Sequence, residues 1–170
     1  ENVDDEAILH IHTDQNSQEG YNLRQVQKEV GLSDDNVLWA DPDLYHDIGD
    51  PTLNSWYNAF DVLVNCSFGE SWGLTITEAM SSGTPCIVTN FSSMPEQVGV
   101  EDQSDIQWIY RAKGEIGSWQ TGDRGGVGVA PHGLVVDPAM GLFRERVSAQ
   151  HMLSHPVDIF NALKFYYENR

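Results

Sequence analysis

The sequence predicts an α/β protein, an open parallel sheet with helices on both faces. Two observations carry this. Short apolar runs alternate with stretches of helical period along residues 7 to 90, and a β-α-β-α-β rhythm implies parallel strands joined by crossover helices. The length, 170 residues, is enough for one ordinary domain and its core.

The elements follow in order. "AILHIHT" (7–13) leans towards β structure. "YNLRQVQKEVGL" (21–32) has Leu23, Val26 and Val30 at helical spacing, with Gly31 as a stop. "NVLWA" (36–40) is a short strand candidate. "PTLNSWYNAF" (51–60) fits a helix opened by Pro51. "DVLVNCS" (61–67) is apolar and β-branched, as a buried parallel strand would be. A glycine turn leads to a helix over about 73–82, closed by Gly83 and Pro85, and "CIVTN" (86–90) is the next strand.

After residue 100 the pattern loosens. "DIQWIY" (105–110) and "LVVDP" (134–138) are strand candidates. Residues 111–133 are Gly-rich without a period and read as an irregular insertion in a single domain over 1–170. The tail 157–170 is helical, with Ile159, Leu163 and Tyr166 along one face.

Nine basic against 26 acidic residues give a net charge of −17. A small soluble domain usually carries about 2 to 8 charges of either sign. Such a surface repels nucleic acid and anionic membranes. Two origins fit: a salt-rich interior that screens self-repulsion, or an acidic mesophilic fragment that lost basic segments. No apolar run approaches the roughly 20 residues that span a bilayer, and the opening "ENVDDE" is not signal-like. The expectation is a soluble, cytoplasmic protein. Cys66 and Cys86 read as reduced, buried thiols.

The chemistry concentrates in "FGESWGLTITEAMSSGTP" (68–85). In an open α/β sheet, ligands bind beyond the carboxyl ends of the strands. The strand ending at Ser67 delivers a turn there, and the helix after it aims free N–H groups at the same place. Gly73, lacking a Cβ, permits close approach. This half suits a phosphate or diphosphate. Glu78, about five residues into the helix, lies roughly 7 Å from its start. An ionised carboxylate only accepts hydrogen bonds, and a vicinal diol supplies two donors. Glu70, before the turn, suits sugar hydroxyls on the other side of the phosphates. Two acids around one helix start describe a nucleoside diphosphate sugar. A bare Glu pair in isolation is only a solvated pair near a helix dipole.

The longer stretch "VNCSFGESWGLTITEAMSSGTPCIVTNFSSMPEQVG" (64–99) resembles the donor-binding segment of retaining glycosyltransferases with the GT-B fold. That family includes sucrose synthases and many bacterial and archaeal mannosyl- and glucosyltransferases. The matching residues are Ser67, Glu70, Gly73-Leu74, Glu78-Ala79-Met80, Gly83, Pro85 and Pro95-Glu96. The resemblance implies a Rossmann-like sheet forming one half of a two-domain architecture. It implies transfer of a hexose from a nucleotide sugar to a hydroxyl acceptor with configuration kept. Glu78 would hold the ribose hydroxyls, and Glu70, as the catalytic-site acid, would contact the donor sugar. The backbone of Trp72, Gly73, Leu74 and Thr75 would meet the diphosphate, and groups near Trp39 and Ala40 would border the base. No metal or cofactor is implied beyond the donor, because helix N–H groups and cationic side chains stabilise the leaving diphosphate.

Some positions depart from the family. Trp72 stands where Phe is usual. Ser92 and Ser93, in the loop that the resemblance places among the nucleotide-sugar contacts, replace Gly-Gly, where positive φ angles cost more with serine. The family's diphosphate-binding Arg and Lys, and its acceptor-binding N-terminal domain, would lie before residue 1, so a complementary N-terminal domain or chain is the expected partner. The domain then reads as incomplete at both ends. Against this enzyme stands a non-catalytic structural or interaction module that kept the fold.

Other features read as structure. His10 and His12 lie on one strand face, but no further ligand cluster accompanies them. "GGVGVAPHG" (125–133) lacks the strand and helix of a dinucleotide loop. Trp108 and Trp119 fit packing better than ligand stacking.

Overall fold

The computed structural model describes residues 7–13, 21–40, 48–111, 125–144, 149–154 and 156–169. The chain divides into two compact units, 1–53 and 54–170.

In the first unit, β1 (Leu9–Ile11) and β2 (Val37–Trp39) pair in parallel across α1 (Leu23–Glu29). Asn22 caps α1 by accepting the Gln25 N–H at 3.0 Å. Gly31, at φ +78°, ends it, as its N–H reaches Lys28 O and the Leu32 N–H reaches Gln27 O. The buried Gln27 accepts the Trp39 indole N–H at 3.1 Å, and Arg24 stacks 4.5 Å from the Trp39 ring centroid. The His10 and His12 rings stack with centroids 6.5 Å apart. Burial, then the neighbouring His12, lowers the His10 pKa.

The division falls within α2 (Asp50–Ala59). The second unit continues with β3 (Leu63–Asn65), α3 (Leu74–Ser81), β4 (Cys86–Thr89) and a four-residue α4 (Met94–Gln97). Then come β5 (Gln107–Arg111), β6 (Gly126–Ala130), β7 (Gly133–Arg144), β8 (Ala149–Ser154) and α5 (Pro156–Asn169). The strand order is β3-β4-β7-β6-β5, with β8 on the far half of β7. β3, β4 and β7 are parallel; β5, β6 and β8 join antiparallel. So the parallel strands form one side of a mixed sheet, and the antiparallel β6 and β5 extend the other.

The period of two in the strands sends alternate residues to opposite faces. Ile87, Val127, Leu134 and Val136 pack with Ala162 of α5. Cys86, Val88 and Val135 are buried on the other face, where Cys86 Sγ lies 3.9 Å from Ile76 O of α3. Helices therefore cover both faces. Both cysteines are free thiols, and burial pushes each up to about 11.

Residues 126–130 fall in the segment expected to be irregular, yet form β6. Glycine-rich strands carry little apolar signal, and here the bare backbone has a use: Trp108 of β5 packs over Gly128. Residues 112–124, with Trp119, lie outside the described residues. No helix among the described residues is long and apolar enough to cross a membrane.

β7 approaches β4 closely at Gly133, where a Cβ would lie 2.5 Å from Cys86 O and 3.1 Å from Val98 Cγ1. Gly133→Ala should therefore cost about 1–3 kcal/mol through overpacking against backbone. Urea unfolding measures it; an unchanged midpoint would contradict this packing.

Candidate functional site

The site grows from the end of β3. Asn65 Oδ1 accepts the Ser67 N–H at 3.2 Å, folding the chain back into a local turn. The Ser67 hydroxyl lies 2.6 Å from Asn65 Oδ1 and 2.7 Å from Glu70 Oε1. Its single proton serves the carboxylate as the stronger acceptor, while Asn65 keeps the backbone N–H. Asn65 Nδ2 in turn donates to Thr75 Oγ1 at 3.3 Å. A polar chain thus runs from Glu70 to the first turn of α3.

Glu70 is held from behind as well. The Ser92 hydroxyl donates a short bond to Glu70 O, and the Ser93 hydroxyl reaches the same oxygen at 3.1 Å. Ser92 sits at φ +61°, the left-handed region, whereas Ser93 is ordinary at φ −78°. The strain expected of Ser92-Ser93 thus falls on one residue, and the hydroxyl that a glycine lacks offsets it.

α3 starts at Gly73, which has no side chain to cap the helix. The buried carboxamide of Gln97 takes that role. Its Oε1 accepts the Gly73 N–H at 3.2 Å, and its Nε2 donates to Gly73 O and Thr77 Oγ1, each at 2.9 Å. A Cβ on Gly73 would lie 2.7 Å from Ile76 Cδ1 and 3.0 Å from Gln97 Oε1. Close packing inside the protein thus accounts for the glycine. The Gly73 N–H, expected to face an anion, is already engaged by Gln97. The Leu74 and Thr75 N–H groups make no hydrogen bond among the described residues. Trp72 is about half exposed beside them, its indole N–H on Thr77 Oγ1 at 3.0 Å. Leu74 is exposed too.

Glu78 lies one turn beyond Thr75 on the same helix face. Its Oε2 accepts the Tyr57 hydroxyl at 2.8 Å. Tyr57, on α2, is buried, and its own carbonyl accepts the Thr84 hydroxyl at 2.5 Å. Burial first, then the hydrogen bond and charge of Glu78, raise the Tyr57 pKa well above the ordinary phenol value, so this donor keeps its proton. Glu78 Oε1 makes no hydrogen bond among the described residues. α3 ends with paired closing bonds: Gly83 N–H to Met80 O, and Thr84 N–H to Ala79 O.

Seven of the predicted site residues therefore gather around the 67–78 segment: Glu70, Gly73, Leu74, Thr75, Glu78, Ser92 and Ser93. Trp72 stands beside them. Trp39 and Ala40 belong to the first unit, where the Ala40 N–H is spent on Ile11 O at 2.9 Å. Tyr57 and Gln97 escaped the sequence reading. Gln97 leaves one local signal, a polar residue between Met94-Pro95 and Val98, all three of which are buried. Tyr57 leaves none, since its partner lies 21 residues away. Among the described residues, no group of three or more His, Cys, Asp or Glu could hold a metal ion.

The family model described as "Glycosyl transferases group 1" matches residues 2–111. The chain belongs to this family. A D-inositol 3-phosphate glycosyltransferase of Paenarthrobacter aurescens (strain TC1) is 35% identical over 78 residues, 46% of this chain and 18% of that relative. The O-antigen chain mannosyltransferase B of Escherichia coli is 41% identical over 66 residues, 36% of this chain and 17% of the relative. Each match thus spans less than a fifth of the relative's length. No solved structure matches the chain.

Ser92 gives a direct check on how Glu70 is held. Ser92→Ala keeps the left-handed φ and loses the bond to Glu70 O, whereas Ser92→Gly loses the bond but relieves the φ. The glycine variant should be more stable than the alanine one by about 1 kcal/mol. Thermal unfolding of both decides; equal stabilities would contradict the backbone assigned to Ser92.

Proposed function

We propose that residues 54–170 carry the donor site of a retaining glycosyltransferase, which moves a hexose from a nucleoside diphosphate sugar to a hydroxyl acceptor. The observation that carries this reading lies along the first two turns of α3. Two first-turn amides, on Leu74 and Thr75, are open there, and one turn on Glu78 keeps Oε1 open while Tyr57 holds Oε2. Thr75 and Glu78 are about 4.5 Å apart along the axis. An anionic linker on the amides leaves its ribose diol beside the carboxylate, which accepts from both hydroxyls. Glu70, steadied at its carboxylate by Ser67 and at its carbonyl by Ser92 and Ser93, takes the donor sugar.

The charge that develops on the leaving diphosphate is met by preorganised N–H dipoles, which need no reorientation during reaction. Family membership and two relatives named for glycosyl transfer support the reaction class. The acceptor is taken by a domain or chain outside residues 1–170. The second reading, a non-catalytic module, draws on one observation: Gln97 has claimed the Gly73 N–H and left two amides for an anion.

Calorimetric titration with UDP- and GDP-sugars separates the two. A donor should bind, and more tightly at raised salt, because screening weakens repulsion from a chain of net charge −17. Glu78→Gln should weaken it roughly tenfold or more, the loss of one or two charge-assisted hydrogen bonds. No heat from any donor at either salt concentration would favour the non-catalytic module.

A further inference from the structure

Beyond the two acids stands a residue outside the motif. We propose that Tyr57 is a positioning residue for nucleoside recognition: its hydroxyl orients Glu78 so that the site prefers a ribose over a deoxyribose. This rests on the donor reading given above.

The geometry supports the role at both ends of the tyrosine. Its backbone carbonyl is tied to Thr84 Oγ1 at 2.5 Å, just past the end of α3. Its ring stands edge-on to Phe60, with centroids 6.0 Å apart at 84°. The residue is only 6% exposed, so the phenol has little freedom to swing. The hydroxyl reaches Glu78 Oε2 at 2.8 Å, within the range of a good O–H···O bond. A glutamate near a helix start otherwise samples several rotamers and loses that freedom on binding. Here one oxygen is fixed before any ligand arrives, and the other is left to accept.

Burial and the Glu78 charge keep the phenol protonated far into alkaline solution, so the donor does not switch off across the physiological range. A second tie runs alongside: Ser82 Oγ bonds Asn54 Oδ1 at 3.2 Å, joining α2 to the same face of α3. Loss of the Tyr57 hydroxyl therefore leaves α2 attached and loosens Glu78 alone.

The test compares the whole chain as wild type, Tyr57→Phe and Glu78→Gln. Each is titrated with a bound UDP- or GDP-sugar and with its 2′,3′-dideoxy counterpart. Tyr57→Phe should weaken the ribose donor about fivefold, which is roughly 1 kcal/mol, and leave the dideoxy donor unchanged. Glu78→Gln should abolish the ribose preference. Equal weakening of both donors by Tyr57→Phe, or no weakening of either, would overturn the positioning role while the donor reading stands. No binding by the wild type would remove the donor reading, and this inference with it. A measurement on the unmutated protein guards against a folding defect: ring carbon resonances of Tyr57 should shift with the ribose donor more than with the dideoxy one. Identical shifts would count against the proposal.

Discussion

The carboxamide of Gln97 closed on the backbone of Gly73 is the contact on which the site depends. It is a two-way bond: one side-chain group satisfies both the N–H and the C=O of a residue at a buried turn. Because the pair is buried, breaking it leaves polar groups without water, at a cost of about 1–3 kcal/mol each. The bond fixes where α3 begins, and it pins α3 to the short helix α4. It also dictates the residue at 73, since any Cβ there would press on Ile76 and on Gln97 itself. The same bond subtracts one amide from those at the helix start. The glycine therefore serves the fold first, and in the proposed donor site the anion is left to the open amides of Leu74 and Thr75.

From that fixed start the two acids are positioned by neighbours rather than by the motif alone. Glu70 is steadied by three serine hydroxyls, two of them on its carbonyl from the loop after β4. Glu78 is steadied by a phenol from α2. In each case one carboxylate oxygen is spent on the protein. This is how a site pre-orders acceptors: binding then freezes fewer torsions, and more of each new hydrogen bond is retained. Ser92 shows the cost. It holds a left-handed backbone that glycine would adopt freely, and its hydroxyl bond is the compensation.

Much of this was legible in the sequence. The β1-α1-β2 and β3-α3-β4 units follow from apolar period and from Gly31 and Gly83, whose positive φ angles end two helices. Glu70, Glu78 and the helix between them were readable because local spacing and a turn place them. The structure was less legible where long-range pairing decides. β6 is glycine-rich, so its strand character comes from β5 and β7 on either side. β8 arises from antiparallel pairing with the far half of β7. Tyr57 carries no period or motif, and Gln97, though inside the 64–99 stretch, is none of its matching residues; each is engaged by a partner more than 20 residues away.

The proposed donor site requires one anion-linked ligand to engage the start of α3 and Glu78 together, and amide NMR during titration with a nucleoside diphosphate reads both ends of that contact at once. The Leu74 and Thr75 N–H resonances should shift along one binding curve, with Glu78 side-chain carbon resonances following the same curve. The Gly73 amide, already bonded to Gln97, should move least of the three. Binding that leaves Leu74 and Thr75 unmoved, or that shifts them with a different dissociation constant from Glu78, would rule out a single ligand shared by the amides and the carboxylate.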